Sequence, residues 1–137
     1  MRTRSTLVLA LALPVLIGSW LGGCATRTQY QGERGLVGSY RAGTLSSVLP
    51  ADVRVPAIMA AADAMFRDRG YTIVESSSTE DSGRMIARPP RYSSYPRMFM
   101  RVDVVERGTQ VQFTYEPLPN EEVCRASLDA LLRKLGM

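Results

Sequence analysis

Apolar positions change their spacing along the chain, and each change marks an element. Leu7 to Leu21 is almost unbroken apolar sequence behind Arg2 and Arg4. A spanning helix needs about 20 such residues, so this stretch has the length of a signal-peptide core, not of a permanent anchor. From Ala25 to Arg34 the residues are small and polar with no period, which reads as a tether of up to ~35 Å. Tyr40, Thr44, Leu45 and Val48 ahead of Pro50 predict a single strand over Tyr40–Leu49, at a sheet edge. Ile58, Ala61, Ala62, Met65 and Phe66 then fall at i, i+3, i+4, i+7 and i+8, one face of a helix. Pro56 suits its first turn and Gly70 its left-handed C-terminal position.

Beyond Gly70 the period turns to two. Tyr71–Ser76 is a strand, Ser77–Gly83 a loop, and Arg84–Arg88 a strand segment ended by Pro89-Pro90. Met98, Met100, Val102 and Val104 alternate with Phe99, Arg101, Asp103 and Val105. After a turn at Arg107-Gly108-Thr109, Val111, Phe113 and Tyr115 alternate with polar neighbours, so the two runs pair as a hairpin. Asn120 caps a last helix, with Glu121 and Glu122 at its positive end and Cys124, Leu128, Leu131, Leu132 and Leu135 as its apolar stripe. The order β-α-β-β-β-β-α predicts an α+β fold. It is a two-layer sandwich of an antiparallel sheet of about four to five strands with two helices on one face. Residues 1–23 read as a signal peptide, 24–36 as a modified cysteine with a flexible tether, and 37–137 as a single domain.

The segment Leu21-Gly22-Gly23-Cys24 resembles the bacterial lipobox. The resemblance implies cleavage after Gly23 and acylation of Cys24, which becomes a lipid anchor. Ala25, where an aspartate would favour the inner membrane, implies an outer-membrane lipoprotein facing the periplasm. The wider pattern resembles a group of small bacterial lipoproteins of uncharacterised function, the DUF3568-like group. The likeness rests on the lipobox, Tyr40-x-x-Gly43-x-Leu45, an Ala-rich helix running into Gly70-Tyr71, and a closing leucine helix. It implies a fold and a location but no activity and no catalytic residues.

Charge and composition then narrow the chemistry. The formal charge is +4, and loss of Arg2 and Arg4 leaves 15 basic against 13 acidic side chains, a formal +2. That makes nucleic acid a poor partner. Histidine is absent, which excludes imidazole bases and histidine metal sites. The serines lie outside any Gly-x-Ser-x-Gly elbow, and Glu75, Glu80 and Asp81 lack calcium-loop spacing, so neither an enzyme nor a metal or other cofactor is expected. Cys124, on the leucine stripe, reads as a small buried hydrophobe. Arg84, Arg88, Arg91, Arg97 and Arg101 form a positive run with no acid between them. Within it, Arg88, Arg91, Tyr92, Tyr95 and Arg97 interleave guanidinium, aromatic ring and proline, a chemistry suited to stacking and to bidentate contact with anions. Two functions follow as expectations. One is a non-enzymatic structural or interaction module of the outer membrane, partnered by the membrane itself or an envelope protein. The other is a module that binds an anionic lipid headgroup, glycan or protein through loop 88–97.

Overall fold

The structure, a computed structural model, describes residues 25–137. It is an α+β fold with one antiparallel sheet of seven strands and two helices. The strands are β1 (Arg27–Gln31), β2 (Leu36–Arg41), β3 (Thr44–Leu49), β4 (Thr72–Ser78), β5 (Ser82–Arg88), β6 (Arg97–Val105) and β7 (Gly108–Glu116). Helix α1 (Val55–Asp68) follows β3 and helix α2 (Glu121–Lys134) follows β7. The sheet order is β1-β2-β3-β7-β6-β5-β4. Seven strands replace the expected four to five, and both additions lie before α1.

One addition splits the expected strand at Tyr40–Leu49. Arg41 pairs with Thr44 across a two-residue turn at Ala42-Gly43, where φ is 50° and 84°. Positive φ at both central positions matches the right-handed twist of the flanking strands. The other addition corrects the tether. Residues 27–31 pair with β2 from Arg27↔Tyr40 to Gln31↔Leu36, so the ordered domain begins well before residue 37.

The inward face alternates as the period predicts. Leu45 and Leu49 of β3, Met85 and Ala87 of β5, Met98, Met100 and Val102 of β6, and Val111 and Phe113 of β7 are buried in one cluster. Ile58, Ala62, Met65 and Phe66 of α1 and Cys124, Leu128, Leu131 and Leu132 of α2 cover them. Each large side chain fully withdrawn from water contributes about 1.5–3 kcal/mol. Asn120 caps α2 as expected, its side-chain oxygen accepting from the Val123 amide at 3.1 Å. Both helices close with the same pair of bonds. Gly70 and Tyr71 amides reach the Arg67 and Phe66 carbonyls, and Gly136 and Met137 amides reach those of Arg133 and Leu132.

The β1–β2 hairpin is fastened to α2 by Arg125. Its guanidinium donates to the carbonyls of Gly38 and Arg27 at 3.2 and 3.1 Å while also holding Glu121. Gly32 NH donates to Asp129 at 3.2 Å farther along the same helix. These contacts give polar β1 a place in the fold without an apolar face of its own.

Candidate functional site

Cys24 lies outside the described residues. The described chain reaches β1 after only Ala25 and Thr26. The register then places three features at the same end of the sheet as the start of β1. The β2–β3 turn brings Arg41 there. The end of β7, where Arg97 pairs with Glu116, leads into exposed Leu118 and into Pro119, which packs against the turn at Gly43. The connection from β5 to β6 is the arginine–tyrosine–proline loop.

In that loop the five expected site residues do different things. Arg88 and Arg97 stand at its base and turn inward on the loop itself. Arg88 donates to the Ser93 carbonyl at 2.7 Å, and Arg97 donates through Nε to the Ser94 carbonyl at 3.0 Å. Arg97 also lies 5.1 Å from the Tyr95 ring centre. These two guanidiniums brace the loop. Arg91, with φ at 71°, and the half-exposed rings of Tyr92 and Tyr95 form its outer surface.

The rest of the positive run is drawn into the sheet. Strands β5 and β6 flank the loop, so residues equidistant from it face each other. Arg84 therefore pairs with Arg101 and Ile86 with Phe99, all on the face that carries no helix. The register extends the Arg84–Arg101 row over every strand, through Ser77 on β4, Gln112 on β7, Ser46 on β3, Ser39 on β2 and Thr28 on β1. Next to it runs Glu75, Ile86, Phe99, Thr114 and Thr44. Most of the first row, from Ser39 to Ser77, and Phe99, Thr114 and Thr44 of the second line an open concavity of about 920 Å³ that reaches from Thr26 to Thr79. The sequence shows the run of arginines. It does not show that the outermost pair is set side by side on a polar face, on the two interior strands nearest the β4 edge.

Charges on this face are partly tied. Arg101 Nε donates to Asp103 at 2.7 Å, which leaves both terminal nitrogens unused by that bond. The nearest carboxylate to Arg84 is Glu75 at 3.9 Å, beyond hydrogen-bond reach. Both arginines are more than half exposed.

Cys124 is fully buried on the inner face of α2, and burial pushes its thiol up to about 11. Burial likewise raises the phenols of Tyr40, Tyr71 and Tyr115. A thiol so disposed packs and does not attack. Among the described residues no group of three His, Cys, Asp or Glu side chains converges as a metal site, and no helix is long and apolar enough to cross a membrane.

No family model and no curated protein matches the chain. The resemblance to small lipoproteins therefore stands on the residues quoted for it.

Proposed function

We propose that this protein is an outer-membrane lipoprotein, anchored through acyl chains on Cys24, whose domain works in the periplasm as a non-enzymatic interaction module. The observation that carries the reading is the short distance from Cys24 to the fold. With β1 beginning at Arg27, three residue steps of about 3.5 Å set the reach of the anchor, on the order of 10 Å. An anchor so short holds one end of the sheet against the headgroups. That end presents Tyr92, Tyr95 and Leu118 with Arg27, Arg41 and Arg91 among them. Amphipathic rings and guanidiniums are the side chains that settle at a lipid–water boundary. The loop at 88–97 then meets the lipid headgroup, and this favours headgroups over glycan or protein as its anionic ligand.

The test is metabolic labelling with an alkyne fatty acid, followed by density fractionation of membranes. The native chain should take the label and travel with the outer membrane, and C24S should take none. Labelled C24S, or an unlabelled native chain, overturns the anchor.

A further inference from the structure

We infer that the helix-free face of the sheet is a second binding site, and that it takes a linear glycan carrying carboxylates at intervals. The inference concerns the concavity between β1 and β4 and does not depend on how the protein is anchored.

Two guanidiniums directly opposite each other on neighbouring strands repel, and sheets ordinarily avoid the arrangement. Arg84 and Arg101 are so placed, on two interior strands of the sheet. Neither has its charge matched by a bidentate carboxylate, since Asp103 takes one nitrogen of Arg101 and Glu75 stands off from Arg84. A carboxylate from outside, lying between them, would relieve the repulsion and fill the free donors in the geometry guanidinium prefers.

The flanking side chains define the rest of the ligand. Ser77, Gln112, Ser46 and Ser39 continue the same row, one per strand, spaced by about 4.8 Å. That spacing is close to the length of one pyranose unit. Short hydroxyl and amide groups that both donate and accept suit a polymer of hydroxyls. Phe99, half-buried beside Ile86, offers an apolar surface for the C–H face of a sugar.

Charge decides against a denser polyanion. Arg41, Arg84, Arg88, Arg97 and Arg101 lie on this face with Glu75, Asp103 and Glu116 set among them. Arg88 and Arg97 are taken up by the Ser93 and Ser94 carbonyls, so a phosphate on every unit would meet acids along its length. Only at Arg84 and Arg101 do two guanidiniums face each other with terminal nitrogens to spare, which fits a carboxylate on occasional sugars.

The experiment uses full-length protein in detergent micelles and two probes. One is a hyaluronan octasaccharide, with a carboxylate on every second sugar, and the other is neutral chitohexaose. Hyaluronan should bind, raise the unfolding temperature, and outcompete chitohexaose by about tenfold or more, the factor for one charge-assisted contact. The double variant R84T/R101T should unfold at or above the native temperature, because it removes the repulsion, yet lose hyaluronan binding by at least that factor. R101K, which keeps the charge but not the fork, should fall between. No binding of hyaluronan, equal affinity for both probes, or unchanged binding by R84T/R101T overturns the site. If R84T/R101T fails to fold, R101K alone decides: affinity equal to the native chain overturns the proposal.

Discussion

Arg125 and Glu121 lie one turn apart on α2, and the Arg125 guanidinium grips one Glu121 oxygen with Nε and a terminal nitrogen at 2.9 and 2.8 Å. That same terminal nitrogen also donates to the Arg27 carbonyl of β1 and the other one to the Gly38 carbonyl of β2, so a single side chain joins helix, first strand and second strand. Arg27 adds a further ion pair to the same carboxylate at 3.2 Å.

This joint makes stability depend on acid. Hydrogen bonds from Arg125 hold the Glu121 carboxyl below its ordinary 4.5, as Arg67 holds Asp63 below 3.8. A carboxyl lowered on folding contributes stability above its unfolded value and loses it as pH falls through the folded one. Unfolding temperature should therefore drop below about pH 4.5, and less steeply in R125M. At neutral pH, R125M should cost about 1.5–3 kcal/mol through the lost charge-assisted bonds to carbonyls. Amide exchange should rise first over residues 27–31. Native exchange there in R125M would show that β1 is held by its strand pairing alone.

Gly108 is fixed by its surroundings. Its φ is +147°, and a Cβ added there would overlap the Leu49 carbonyl oxygen of the neighbouring strand. Backbone atoms cannot swing aside, so G108A should destabilise by about 3–4 kcal/mol, measured by denaturant unfolding. G35A supplies the contrast. Its positive φ also costs, but its Cβ would meet only Tyr30 at 3.9 Å, and the loss should stay near 1 kcal/mol.

The alkaline limb has its own cause. Cys124 ionises near its ordinary 9.0 when unfolded but near 11 in the fold, and Tyr40, Tyr71 and Tyr115 are raised in the same sense. For an acid raised by burial, stability is whole below the unfolded value and is lost as pH rises through the folded one. Unfolding temperature should fall between pH 9 and 11, and C124A should soften that fall. In the native protein at pH 8 the Cys124 thiol should resist alkylation until denaturant is added. Rapid alkylation would place the thiol within reach of water.

Where the alternation is strict, sequence and structure agree. The inward residues of β6 and β7 and the apolar stripes of both helices all follow from period, because burial is what sets the period. The additional strands were invisible for two separate reasons. Ala42 occupies a left-handed position that asparagine or glycine would have advertised, so two strands read as one. In β1 the side chains Arg27 and Gln29 face the helix layer yet stay exposed beyond its cover, so no apolar rhythm exists to be read. The candidate site was hidden by register. Charges 17 positions apart, Arg84 and Arg101, become neighbours only once β5 and β6 pair about the intervening loop, and it was the loop that carried the visible composition.

The strand order carries a consequence for how the chain acquires its shape. β1, β2 and β3 form one meander and β4, β5, β6 and β7 another, and the two meet along β3 and β7, where Leu45 faces Phe113. Every other seam joins consecutive strands, and this one waits for the far end of the sheet to be made. Until β7 arrives, β3 offers a bare edge with Leu45 and Leu49 uncovered. A contact of such long sequence separation is slow to close. The early meander must therefore stay unsaturated for most of synthesis, and a chain cut short before Gly108 leaves two half-sheets, each with one sticky side.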